Sequence, residues 1–326
     1  MPDAQPAVSS SKQSRLKQAV KGRIHRPLRT LIYGTEGVGK STFAAQAPSP
    51  FFVATESGTD HLDVIRDTPK DWPDVLDILH ELLAEPHDYQ TVVIDTLDRL
   101  EPMIWSALVA RDLKGKPHKG IEDIGGGWGK GYIAALDYWR ELQFCLERLR
   151  DERGMGSILV GHSTRKRYNN PEGEDYDQIT IKINDKAAAQ LREWCDVVLY
   201  ATHETLTYET KTSKVKAMST GRRVLHTVKR AAFDAKNRLN LPETIDLSYQ
   251  AFADAVASST PEQLKKRIAS LFPKMSDDIR ARVTPALTQA GDDPAKLSAI
   301  LSKMETIAAA AAANTNNNAV DEGPAS

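Results

Sequence analysis

Apolar residues fall along this chain in two alternating periods. Short, largely apolar runs at 28–33, 51–54, 91–94, 157–160 and 197–200 are the pattern of strands buried on both faces, as in a parallel sheet. Between them the spacing becomes helical. Asp71, Trp72 and Pro73 open a helix whose one face carries Val75, Ile78, Leu79, Leu82 and Leu83, with Asp71 as cap and Pro73 in the first turn. Further helices are expected over 102–113 and 132–149, the latter with Leu136, Trp139, Leu142, Leu146 and Leu149 near one face. The glycine-rich stretch 125–131 is expected to be a loop. Segments 205–210, 215–219 and 223–228 read as a small antiparallel set at the sheet edge.

The pattern therefore predicts an α/β core over 27–250, with a mostly parallel central sheet flanked by helices. Beyond it Thr260, Pro261 and Glu262 open a helical appendage (251–311), with Leu264, Ile268 and Leu271 as a stripe and helical patches at 279–287 and 294–311. The Asn-, Ala- and Gly-rich tail 312–326 is expected to be disordered. Residues 1–26 are a basic, polar arm in which Lys12, Arg15, Lys17, Lys21, Arg23 and Arg26 face only Asp3. A flexible arm, a DNA-touching arm and a clip onto a neighbouring subunit all fit that composition.

Composition changes this picture little. The 326 residues are 40% hydrophobic and 27% charged, as in soluble globular proteins. With a formal net charge of −1, any nucleic-acid contact must come from local basic patches. Two cysteines, Cys145 and Cys195, argue against a disulfide scaffold or a cysteine zinc site and fit a reducing compartment. No apolar run approaches membrane-spanning length, and the polar start lacks a signal-peptide core, so neither membrane insertion nor export is expected.

The candidate chemistry sits where the first strand ends. Gly34, Thr35, Glu36, Gly37, Val38, Gly39, Lys40 and Ser41 fit G-x-x-x-x-G-K-[ST] at every fixed position. Glycines there let successive N–H groups point at phosphate oxygens, Lys40 reaches the β- and γ-phosphates, and Ser41 is placed to ligate Mg²⁺. Thr42 continues a helix whose N-terminus faces the anion. ATP with Mg²⁺ is the expected cofactor. Asp95, closing the apolar run 91–94, is the expected metal-side carboxylate. Hydrolysis also needs a group to orient water, and Glu56, Asp98 and Glu101 all compete for that role.

The order of these pieces resembles the RecA-type ATPase core rather than the kinase or GTPase branches. It is most similar to the phage-encoded RecA-like nucleotide-binding proteins that include one class of single-strand annealing recombinases. The resemblance spans about 27–250. It rests on Phe51 to Glu56, Val92 to Thr96, Ile158 to Ser163, and Ala235 to Arg238. It implies that Glu56 orients the water and that His162 senses the γ-phosphate, where RecA itself uses a glutamine. Lys236 and Arg238 become fingers reaching a neighbouring subunit's site in a homo-oligomer. The resemblance also turns the loops at 114–131 and 164–178 toward single-stranded DNA. The first offers Lys114, Lys116, Lys119, Trp128, Lys130 and Tyr132; the second offers Arg165, Lys166, Arg167 and Tyr168, offset by Glu172, Glu174, Asp175 and Asp177. Cations beside rings suit sequence-tolerant strand binding. The expected setting is recombination in the cytoplasm of a phage-infected or prophage-bearing bacterium, with a single-strand binding protein as a further partner. A nucleotide-dependent switch that binds protein, and a helicase-like motor, remain as alternative readings.

Overall fold

The computed structural model describes Ile24 and residues 26–112, 120–209 and 215–318. Most of the basic arm, Lys114, Lys116, Lys119, Thr210 and the last eight positions, 319–326, lie outside the described residues. The chain opens with β1 (Arg29–Gly34), α1 (Lys40–Ala45), β2 (Pro50–Ala54), β3 (Ile65–Asp67), α2 (Trp72–Ala84) and β4 (Thr91–Asp95). There follow α3 (Leu97–Asp112), α4 (Lys130–Glu152), β5 (Gly156–Tyr168), β6 (Tyr176–Ile181), α5 (Asp185–Trp194), β7 (Val197–Glu209) and β8 (Val215–His226). The remainder is β9 (Lys236–Asn237), β10 (Thr244–Asp246), α6 (Tyr249–Ser258), α7 (Pro261–Leu271), α8 (Asp277–Ala290) and α9 (Pro294–Asn318).

The sheet runs β3-β2-β4-β5-β1-β7-β8-β10. From β3 to β7 every neighbouring pair is parallel, and β8 and β10 close that edge antiparallel. Both faces are covered, which explains the largely apolar runs. One face buries Leu31, Val53, Ile94 and Leu159 under α2, α3, α4 and α5. The other buries Ile32, Phe52, Val93 and Val160 under Phe43 of α1 and Phe252 of α6. Each fully buried side chain of this size stabilises by about 1.5–3 kcal/mol, so the central strands are held mainly by their side chains. The architecture is α/β, a mostly parallel central sheet flanked by helices, with a helical C-terminal region.

Local signals read as expected at α2, where the Asp71 side chain accepts the Asp74 N–H at 3.1 Å and Pro73 lies in the first turn. Several boundaries differ. α3 begins at Leu97 rather than at Pro102, because Leu97, Leu100, Ile104 and Leu108 form one buried stripe that outweighs the proline. Residues 125–129 are irregular, all with positive φ, but Gly131 lies inside α4. A Cβ on Gly131 would stand 1.9 Å from the Ile121 carbonyl oxygen, so only glycine lets α4 approach there.

The expected loop 164–178 is largely a hairpin. β5 continues to Tyr168 and pairs with β6 from Ser163↔Ile181 to Tyr168↔Tyr176. The three expected edge strands are β7 and β8, with one register shift between His203 and Thr205. The core also runs past 250, since α6 packs Phe252 onto the sheet. The appendage has its own core of Leu264, Ile268, Leu297, Leu301 and Met304. Its last helix reaches Asn318, beyond the expected start of the tail at Ala312, through an alanine run of high helix propensity. Among the described residues no helix is long and apolar enough to cross a membrane.

Candidate nucleotide site

β1 delivers the chain into the glycine loop beside β7, where Gly34 pairs with Ala201. A Cβ at Gly34 would sit 2.2 Å from the Ala201 carbonyl oxygen. Gly37 and Gly39 have φ of 71° and 112°, the left-handed region that side chains avoid. Val38 is buried against the α1 side of the core, which anchors the loop from beneath, while Thr35 and Glu36 stay exposed. Lys40 is buried, and its ammonium donates to the carbonyls of Gly34 (3.1 Å) and Thr35 (2.8 Å). Burial lowers its pKa, opposed by the carboxylates of Asp95 and Glu36. Ser41 and Thr42 follow in the first turn of α1.

Asp95 ends β4 between Ala54 of β2 and Val160 of β5. It is 1% exposed, and neither carboxylate oxygen has a hydrogen-bond partner of good geometry. Burial raises its pKa, and the nearby Ser41 hydroxyl works against that rise. A dry carboxylate without a donor is costly unless a cation neutralises it. The Ser41–Asp95 pair therefore fits the Mg²⁺ that accompanies a nucleoside triphosphate.

Around this pair the three competing acids separate. Glu56 follows β2, and among the described residues its carboxylate is hydrogen-bonded by the Arg99 guanidinium alone, at 3.3 Å. Asp98 is taken by His162: it accepts the His162 backbone N–H at 3.1 Å and pairs with ring Nδ1 at 3.0 Å. Burial would raise the Asp98 carboxyl, but those bonds outweigh it and hold it at about 2. Glu101 is buried and accepts the Asn184 N–H at 2.9 Å, and burial pushes its carboxyl up to about 7. His162 lies midway along β5, directly across from Gly34. Glu56, His162, Lys40, Ser41 and Asp95 thus share one end of the sheet.

A family model described as an AAA domain matches residues 26–239. The chain belongs to this AAA-domain family. No protein of curated function matches the chain. Among solved structures it is similar to the crystal structure of the RadB recombinase, at 14% identity and a TM-score of 0.38, over 69% of this chain and 90% of that one. No residue assignment rests on so distant a likeness. The AAA-domain family and the glycine loop with its buried lysine together support nucleotide binding at this site.

Within this AAA-domain chain, other expected site residues lie elsewhere. Lys236 pairs through β9 with Val198 near the start of β7, level with Leu31 and thus toward the opposite end of the sheet from the glycine loop. Its ammonium donates to the carbonyls of Arg192, Glu193 and Cys195, closing the end of α5. Arg238 donates to Glu193 O at 3.2 Å, stands 3.6 Å from Asp196, and is half-exposed. Neither reaches the nucleotide site of its own chain. Lys130 is folded back on the Gly125 carbonyl, whereas Trp128 is 96% exposed with a left-handed φ of 57°.

On the β5–β6 hairpin, strand alternation separates the expected basic trio. Arg165 and Arg167 share Asp177, at 3.6 and 3.8 Å. Lys166 points the other way, to Asp185 and the Ile183 carbonyl. Sequence reasoning missed Lys182, whose charge acts on Glu36, and Arg223, which reaches the glycine loop from β8. Neither carries a local motif, so no signal within its own neighbourhood could have found it.

Proposed function

We propose that this chain is a RecA-like ATPase that binds single-stranded DNA and promotes annealing or strand pairing, with ATP held between neighbouring protomers. The observation that carries the reading is the continuity of β5. One strand sets His162 against the nucleotide loop and runs on to Arg165, Arg167 and Tyr168, whose ring lies 5.0 Å from that of Tyr176. A shift at the γ-phosphate position therefore has a rigid route to a surface of cations and rings.

In this reading Lys40 holds the β- and γ-phosphates, Ser41 and Asp95 hold Mg²⁺, and Glu56 orients the attacking water. Mg²⁺, when bound, supplies charge neutralisation at the phosphate oxygens. His162, held at Nδ1 by Asp98, would use its other nitrogen to sense the γ-phosphate. The test is ATP turnover with and without single-stranded oligonucleotide, alongside a gel shift. Stimulated turnover and a nucleotide-dependent shift are expected, both abolished in Lys40→Ala. ATP turnover indifferent to DNA, with no shift, would overturn the DNA half of the reading and leave an ATPase.

A further inference from the structure

Arg223 stands apart from the other basic side chains near the nucleotide loop. It lies on β8, opposite His203 of β7, two strands from β1. From there it crosses to the loop: one guanidinium nitrogen is 3.3 Å from the Val38 carbonyl oxygen and would be 3.0 Å from a Cβ on Gly39. Leu247, whose N–H binds the Arg223 carbonyl at 3.0 Å, packs on the same side of Gly39. The next residue back, Arg222, is bound by Glu204 and Asp246. Arg223 itself, although exposed, forms no ion pair with an acid among the described residues.

A guanidinium has five N–H donors, and the Val38 carbonyl uses one. Among the described residues the rest have no hydrogen-bond partner, and they lie beside a loop built to receive phosphate. The charge there also calls for another cation. A nucleoside triphosphate carries more negative charge than Mg²⁺ and Lys40 neutralise together, and Asp95, Glu36 and Glu56 add theirs. We propose that Arg223 is a nucleotide ligand supplied by the chain's own β7–β8 hairpin, its guanidinium binding a phosphate oxygen of the nucleoside di- or triphosphate held in the glycine loop. Because the same residue closes the hairpin onto Val38, nucleotide occupancy ties β8 to the loop. The inference rests on the nucleotide site alone and is independent of the DNA reading.

The test is titration with N-methylanthraniloyl-ADP and N-methylanthraniloyl-ATP in the full-length chain, with Mg²⁺. Arg223→Ala should weaken both by about tenfold to a hundredfold, the worth of a charge-assisted hydrogen bond. Arg223→Gln separates a ligand from a clamp, since it keeps a donor for the Val38 carbonyl and removes the charge. The ligand role predicts weakened binding in Arg223→Gln as well, with partial recovery in Arg223→Lys. Unliganded melting of Arg223→Gln should match wild type, while its nucleotide-induced shift shrinks. Wild-type affinity in Arg223→Gln would overturn the proposal, as would an equal loss in the neighbouring Arg222→Ala. Lys40→Ala tells the two failures apart. If it loses binding while the Arg223 variants keep it, only this inference falls; if it too binds normally, the nucleotide site itself is misassigned.

Discussion

Glu56, Asp98 and Glu101 are the same functional group in three surroundings, and the surroundings decide what each can do. Glu56 keeps its carboxylate at the edge of the site, against the Arg99 guanidinium. Glu56→Gln should leave nucleotide affinity near wild type and slow hydrolysis about a hundredfold or more, because it removes water activation and no phosphate contact. Single-turnover hydrolysis beside a nucleotide titration checks this. Normal turnover in Glu56→Gln with a loss in Asp98→Asn would move the role to the His162 partner.

Glu101 carries a different consequence. Its carboxyl is raised from 4.5 to about 7 in the folded chain. Below the lower value both folded and unfolded states hold the proton, so the shift has no effect on stability. As pH rises through that window the folded state loses stability, because it must ionise a buried acid. Glu101→Gln should therefore be more stable than wild type by about 1–3 kcal/mol at pH 8 and equal to it near pH 4. Chemical denaturation at the two pH values reads this directly. The glycine loop and Asp95 were legible because their chemistry is written in consecutive residues. The His162–Asp98 pair and Arg223 were not, since their contacts join positions 64 and 185 residues apart.

Elements were legible where one apolar period dominates. The five inner strands and α2 have that signal, and the fold class follows from them. The β5–β6 hairpin lacks it: Arg165, Lys166 and Arg167 are polar on both faces of the pleat, so nothing in the pattern marks a strand. Pairing with β6 rather than burial makes it one. The hairpin also narrows what its cations can do. Arg165 and Arg167 share one face with a single acid, Asp177, an exposed pair of small net worth that phosphates can displace. Replacing both by alanine should weaken single-stranded DNA binding and lower the slope of log affinity against log salt by about 0.7 for each phosphate left without its cation. Lys166→Ala, on the opposite face, should change the slope little. Filter binding across a salt series distinguishes the two, and an unchanged slope in the double variant would shift the DNA surface toward Trp128.

At the scale of the whole molecule, the position of Arg238 constrains assembly. It lies toward the end of the sheet opposite its own glycine loop, so any finger role must be played in a neighbour's site. Lys236 is committed to three carbonyls of its own chain and is a structural cap, which leaves Arg238 as the candidate. Arg238→Ala should bind ATP almost normally and hydrolyse it poorly. Mixed with Glu56→Gln, it should regain activity at high protein concentration and lose it on dilution. No recovery where mixed oligomers form would exclude the shared site. Asp95, at the centre of the site, also bears on how long the molecule survives. Burial raises its carboxyl and leaves both oxygens without a hydrogen bond when the loop is empty, so the unliganded chain should open more readily than its packing alone would dictate. Its survival against proteases should then follow the supply of Mg²⁺-nucleotide, lengthening when the loop is filled. Asp95→Asn should break that link, outlasting the unfilled wild-type chain under thermolysin while gaining nothing from added nucleotide. The lifetime of the protein would in this way report the energy state of the cell around it.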